Sequence, residues 1–212
     1  MPFKSSLPFV FTLTLLAAGC QIPPPTTASH PVAAQPQLTE AGLGAVPDCA
    51  SGGSAILADG VRVGYLGSDP TDPQRCLLEW SDRPHPLYFG FWSPNPKRPI
   101  SEQARRAFLA ALTGPVGTEA LFRDDDARMW DDVTVAHAAN RVVDVAGHPR
   151  PALVLHVVRH DALGRSDVRA EVHYIIDRAT GVLLRSESVT PMADGGITRT
   201  TGWQLDTLHQ AG

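Results

Sequence analysis

The chain lacks three features that would point directly to a function: an excess of basic charge, a long apolar run and closely spaced cysteines. Its 18 lysine and arginine residues are outnumbered by 22 aspartate and glutamate residues, so the formal net charge is −4. A mildly acidic protein has no electrostatic attraction for nucleic acid, and we predict no such partner. No apolar run reaches the roughly 20 residues of a transmembrane helix. With only 3 cysteines, far apart in the sequence, there is no CxxC metal site.

The short motifs of the common enzyme classes are also missing. There is no G-x-S-x-G motif for a serine nucleophile. Gly42-Leu43-Gly44 lacks the third glycine and the preceding strand of a phosphate-binding loop. The acidic stretch from Leu121 to Asp132 lacks the alternating ligands and turn glycine of a calcium loop, and we expect a solvated turn or the start of a helix there. The sequence therefore indicates no catalytic residue and no cofactor, and favours a non-catalytic protein over an enzyme.

The N-terminus is the most informative part of the chain. Lys4 provides a positive charge, Leu7 to Leu16 is a short apolar run, and Ala17-Ala18-Gly19-Cys20 follows with small residues. These residues resemble the signal peptide and lipobox of a bacterial lipoprotein, although Ala17 stands where leucine is most common. The resemblance implies that residues 1–19 are removed on export and that Cys20 is acylated, with chains such as palmitate anchoring the protein in a membrane. The alternatives are an ordinary cleaved signal peptide and a buried N-terminal helix.

Residues 20–48 are predicted to be a tether between this anchor and a single globular domain at 49–212. The segment is rich in proline, alanine and threonine and has no hydrophobic period, so it cannot form a core and favours extended conformations. Gln21 stands where an aspartate signals retention in the inner membrane of enteric bacteria. The lipoprotein resemblance thus implies the periplasmic face of the outer membrane, with inner-membrane retention left open.

The two other cysteines, Cys49 and Cys76, are predicted to form a disulfide. An exported protein folds in an oxidising compartment, where pairs of cysteines are commonly oxidised. Closing this loop of about 27 residues would stabilise the domain by roughly 3 kcal/mol in the chain-entropy model. Two free buried thiols are the alternative.

The pattern of turns and apolar residues predicts an α+β fold. Asp59-Gly60 lies between two apolar runs and predicts an N-terminal β-hairpin. Ser101 to Thr113 has apolar residues at helical spacing, a serine that can cap its start and Gly114 after its end, so we predict one main α-helix. From Val133 onward, short turns separate about six strands, which predicts an antiparallel β-meander packed with the helix.

An aromatic segment, Leu87 to Trp92, is predicted to be a strand with apolar residues on both faces. Such a strand is usually buried on both sides, but an exposed patch would be a surface for a protein partner or an apolar ligand. We favour the core. The candidate surface consists of Tyr88, Phe89, Phe91 and Trp92.

A candidate metal site follows from the pairing expected in the meander. If the apolar sets of two neighbouring strands share the core face, His156 and His173 are cross-strand neighbours on the opposite face, with Glu171 beside them. Directly opposed side chains have Cβ atoms about 5 Å apart, close enough to share a zinc or copper ion. No helical His-x-x-x-His pair completes the ligand set, and a solvated polar face is the favoured interpretation.

Three functions are consistent with these features. The first is a non-catalytic, membrane-anchored periplasmic lipoprotein that binds a protein partner or supports an envelope complex. The second is a carrier or receptor for an acyl chain or another apolar ligand. The turn from Asp177 to Gly181 is similar to turns in the lipoprotein carrier and receptor proteins of the outer-membrane sorting route, which implies a curved sheet with a helix across its mouth. This function needs an apolar cavity of about 300 Å³ or more. The third is a metal-dependent enzyme using His156, Glu171 and His173.

Overall fold

The computed structural model describes residues 39–93, 99–126, 129–162, 170–192 and 196–209. The predicted signal peptide, the predicted acylation site Cys20 and the predicted tether as far as residue 38 lie outside the described residues. The described part of the chain contains ten strands and one helix: β1 (Ser51–Leu57), β2 (Arg62–Asp69), β3 (Asp72–Trp80), β4 (Arg83–Tyr88), α1 (Glu102–Thr113), β5 (Glu119–Asp126), β6 (Met129–Val145), β7 (His148–Asp161), β8 (Ala170–Asp177), β9 (Leu183–Pro191) and β10 (Ile197–His209).

All ten strands form one antiparallel sheet in the order β4-β3-β2-β1-β10-β9-β8-β7-β6-β5. This corrects the predicted α+β fold with a separate hairpin and a six-strand meander. The protein is β-rich, and within the described residues α1, with 12 residues, is the one helix. The N-terminal hairpin is present but extends to four strands, and it joins the later strands because β1 pairs with β10.

The acidic stretch differs most from its prediction, because it forms β5 and the start of β6. Phe122 of β5 points into the core and is 1% exposed. Cross-strand arginines neutralise part of the acidic charge: Arg123 Nε donates to Asp132 Oδ1 at 2.9 Å, and Arg159 lies 3.2 Å from Asp124. The low strand propensity of aspartate is therefore outweighed by core packing and cross-strand pairing.

Helix α1 has the predicted position and caps. Ser101 Oγ accepts a hydrogen bond from Ala104 N at 3.1 Å, and Gly114 N donates to Ala110 O at 2.8 Å. Its buried face packs on β5, β6 and β7. That face consists of Ala104, Ala107, Phe108, Ala111 and Leu112. Across the described ranges, no helix has the length and apolar character needed to cross a bilayer.

The sheet bends back on itself, so the strands under α1 also have a core on their other side. We call the side of β6–β9 against α1 the helix face and the opposite side the hairpin face. On β7, Leu153, Leu155 and Val157 belong to the helix face, where none is more than 2% exposed. Both halves of the sheet contribute to the hairpin-face core, which includes Ala55, Val63, Leu78, Val154, Ile175 and Leu205. Strand β10 makes the connection, pairing first with β9 and then with β1.

The residues just before β1 pack with the folded domain. Leu43 is 4% exposed, and its N–H donates to the carbonyl of Leu112 at the end of α1 at 2.8 Å. The guanidinium group of Arg178 donates to the carbonyls of Ala41 and Gly42 at 2.8 and 2.7 Å. The last part of the predicted tether is therefore held by contacts with distant segments, which no local sequence pattern reveals.

Candidate functional site

The two histidines of the predicted metal site are neighbours in the structure. His156 of β7 and His173 of β8 are directly opposite in the register, and their ring centroids are 4.8 Å apart. Each lies two residues along its strand from a buried hairpin-face residue, Val154 or Ile175. Glu171 Oε2 is 3.6 Å from His156 Nε2, which is too long for a hydrogen bond.

A carboxylate with three arginines continues this row of side chains. Glu187 of β9 lies opposite His173, and its side chain is only 13% exposed. Arg185 Nε is 2.8 Å from Glu187 Oε1, while Arg141 Nη2 and Arg199 Nη1 are each 3.9 Å from a carboxylate oxygen. We call the whole cluster the polar layer: Arg141, His156, Glu171, His173, Arg185, Glu187 and Arg199.

The polar layer is electropositive. Its three arginines exceed its two glutamates by one charge when both histidines are neutral. Burial lowers the pKa of His173, and the neighbouring His156 and Arg199 lower it further. Burial also lowers the pKa of Arg141. Both shifts indicate that further positive charge is poorly solvated in this part of the sheet.

Several polar atoms of this layer have no hydrogen-bond partner. Nε of Arg141, Nε of Arg185 and Nε2 of His156 are all buried in this way. The 2.8 Å approach of Arg185 to Glu187 is therefore an ion pair without hydrogen-bond alignment. A buried donor left unpaired costs about 1–3 kcal/mol, so such a group in a native fold requires an explanation.

The charge of the polar layer opposes a metal ion at the predicted ligands. Among the residues that the structure describes, no three His, Cys, Asp or Glu side chains are grouped closely enough to hold a metal ion. The guanidinium groups around Glu187 would repel a cation at the adjacent His173. Arginine instead presents forked N–H donors to anions with several oxygen atoms, and the arrangement suits that chemistry.

The aromatic segment is part of the core, as favoured from the sequence, so the alternative of an exposed partner or ligand surface is wrong. Tyr88, Phe89, Phe91 and Trp92 are 5, 6, 5 and 3% exposed. Strand β4 ends at Tyr88 because Phe89 (φ 55°) and Gly90 (φ 78°) turn the chain, and Trp92 N donates back to Tyr88 O at 2.9 Å. The turn places the rings of the three later aromatics 4.8 to 5.8 Å from the ring of Phe108.

Cys49 and Cys76 form the predicted disulfide, with their Cα atoms 5.2 Å apart. The bond joins the segment before β1 to the middle of β3. Since these two cysteines are paired, Cys20 is the one that remains of the 3 in the sequence.

Two hollows lie beside the disulfide. A narrow cavity of about 30 Å³ borders Leu43, Phe91, Ile176 and both cysteines, and an open groove of about 380 Å³ borders Asp48, Ser51, Thr180 and His209. Tyr65 lines both, its hydroxyl is buried without a hydrogen-bond partner, and burial raises its pKa. The apolar cavity has room for one or two water molecules and not for an acyl chain.

Sequence reasoning found only part of the polar layer. It named His156, Glu171 and His173 because they alternate with apolar residues on two neighbouring strands. It did not identify Arg141, Arg185, Glu187 or Arg199 as members. The alternation of side chains along a strand places Arg185 and Glu187 on one face of β9. Only the pairing register shows that this is the same face of the sheet as the histidines.

Comparison with known proteins identifies no family. No protein-family model matches the chain, and no curated protein matches it. Among solved structures, the crystal structure of the hypothetical lipoprotein YmcC from Escherichia coli (K12) is similar, with 11% sequence identity and a TM-score of 0.42 over 82% of this chain and 86% of that one. Both values are too low for the similarity to indicate a family or a function.

Proposed function

We propose that the protein is a lipoprotein of the bacterial envelope, acylated on Cys20, whose folded domain binds a protein partner without catalysis. In this proposal the domain stands on the periplasmic face of the outer membrane. The Cys49–Cys76 disulfide carries the argument, since it fits folding in an oxidising compartment. Of the 3 cysteines, Cys20 then remains for acylation in its lipobox context.

Metabolic labelling with palmitate tests the anchor. The wild type is expected to incorporate the label and to fractionate with membranes, and Cys20→Ala is expected to lose both properties. Cys49→Ser/Cys76→Ser is the matched control, because it removes two cysteines and keeps the lipobox, so it should remain labelled. Label in Cys20→Ala, or none in the wild type, contradicts the proposal.

The position of β5 at one edge of the described sheet supports binding of a protein partner. Among the described strands, β4 and β5 are the two edges of the sheet. Pro84 and Pro86 lie in β4 and remove backbone donors from that edge. Strand β5 has no proline, and its third residue, Leu121, is 61% exposed. An edge of this kind can accept a strand from another protein.

A photo-crosslinking residue placed at Leu121 tests this surface in intact cells. We expect a discrete crosslinked product with an envelope protein. The same residue at Arg83, on the proline-containing edge, is the control and should give none. Equal products from both positions, or none from Leu121, would remove β5 as the binding edge.

A further inference from the structure

We propose that the polar layer binds a phosphate-type oxyanion, with Arg141, Arg185 and Arg199 as its principal ligands. The inference concerns the hairpin face of the sheet and does not require that Cys20 be acylated. It goes beyond the proposed partner binding at β5, because it assigns a small anionic ligand to a different part of the domain.

Glu187 marks where negative charge is stabilised. Its carboxylate lies within 3.9 Å of three guanidinium groups. Glu187 neutralises one of these charges and Glu171 offsets a second, so the layer keeps one positive charge that a singly charged oxyanion would neutralise. Guanidinium groups have five N–H donors in a fixed plane, a geometry that matches phosphate oxygens.

The ligands are accessible from solvent and still have donors to offer. The side chains of Arg141, Arg185 and Arg199 are 40, 38 and 59% exposed. The Nε atoms of Arg141 and Arg185 are buried and have no hydrogen-bond partner. The 3.9 Å contacts of Arg141 and Arg199 with Glu187 are longer than hydrogen bonds, so they leave donors uncommitted.

The histidines provide two more polar groups in the same row of the sheet. His156 and His173 are cross-strand neighbours, and His173 is opposite Glu187. His156 Nε2 is buried without a hydrogen-bond partner. An oxyanion beside the arginines would therefore lie in the same row as an imidazole nitrogen that donates in one of the two tautomers of neutral histidine.

The competing interpretation is an ion-pair network that only stabilises the sheet. The two interpretations make opposite predictions for Glu187→Gln. In a structural network, the substitution removes the one carboxylate shared by three arginines and leaves phosphate without effect. In a ligand site, it removes the group that competes with the anion, so phosphate should bind more tightly.

Isothermal titration of the full-length mature protein in a non-ionic detergent, at fixed ionic strength, provides the test. Inorganic phosphate is expected to give saturable binding at one site. Arg199→Gln, chosen for its exposed side chain, should weaken binding about tenfold or more, the scale of one charge-assisted pair. Arg106→Gln is the control, since it removes the same charge from the exposed face of α1 and should change the affinity less than about twofold.

The source of the phosphate group is resolved by a second titration. Free phosphate and a lipid headgroup present the same chemistry, so the wild type is also titrated with dihexanoyl phosphatidylglycerol, and with dihexanoyl phosphatidylcholine as the net-neutral control. Tighter binding of phosphatidylglycerol than of phosphate indicates a lipid ligand, and the reverse indicates a free anion.

The proposal is overturned if neither anion binds saturably, if phosphatidylcholine binds equally well, or if Arg106→Gln weakens binding as much as Arg199→Gln. Loss of phosphate binding in Glu187→Gln, with its circular dichroism unchanged, would overturn it as well.

Discussion

The two faces of β7 differ in how completely they are covered. On the helix face, Leu153, Leu155 and Val157 form a row that is at most 2% exposed from end to end. On the hairpin face, Val154 is 6% exposed, whereas the side chain of His156, two residues further along, is 32% exposed. Among the described residues, the buried side chains of β1–β3 belong to one core cluster with Val154 and Ile175, and His156 is not a member of it. A single strand thus contributes to a closed core on one side and to a polar layer open to ligands on the other.

The largest effect is expected from the helix face, in the variant Phe108→Ala. Phe108 is 0% exposed, and its ring lies 4.8 to 5.8 Å from the rings of Trp92, Phe122 and two other aromatics. Truncating a phenylalanine in such a core costs about 3–5 kcal/mol of unfolding free energy. Urea denaturation followed by tryptophan fluorescence measures the loss.

Leu121→Ala is the control for that experiment, because this leucine is 61% exposed on the edge strand β5. Its unfolding free energy should stay within about 0.5 kcal/mol of the wild type. Equal losses in the two variants would mean that the helix face is not the closed core described above.

The disulfide stabilises the part of the domain that contains β1–β3. The variant Cys49→Ser/Cys76→Ser tests how much it contributes to the free energy of unfolding. The bond closes a loop with a sequence separation of 27 residues, and its loss should cost about 3 kcal/mol. Wild-type protein reduced with dithiothreitol should show the same loss in urea denaturation, because it also lacks the bond but keeps both cysteines. A double variant as stable as the wild type would show that the stability of β1–β3 does not depend on this disulfide.

Local patterns predicted the features whose determinants are neighbours in the sequence. The period of two along β7 and β8 predicted both the buried row containing Leu155 and the pairing of His156 with His173. Asp59-Gly60 predicted the hairpin, and Ser101 with Gly114 predicted the ends of α1, because turn and cap residues act within a few positions.

The remaining features depend on contacts between distant segments. Arg141 and Glu187 are three strands apart in the sheet order, and the 3.9 Å between their side chains depends on the registers of all the strands between them. Likewise, Leu43 is buried by α1, which follows it by almost sixty residues. In both cases the sequence near the residue is polar or irregular, so its local pattern predicts a solvated face or a tether.

The smallest effect is expected from His173→Gln, which tests the open end of the hairpin face without a ligand. Burial, and then His156 and Arg199, lower the pKa of His173 in the folded protein, whereas in the unfolded chain it is near 6.5. As the pH falls below about 6.5, the unfolded chain takes up this proton first, so the free energy of unfolding declines until the folded protein is protonated too. His173→Gln should flatten that decline in urea denaturations between about pH 7.5 and pH 5. His148→Gln, at the exposed first residue of β7, is the matched control for the substitution itself, and an unchanged slope in His173→Gln would mean that the polar layer does not oppose further positive charge.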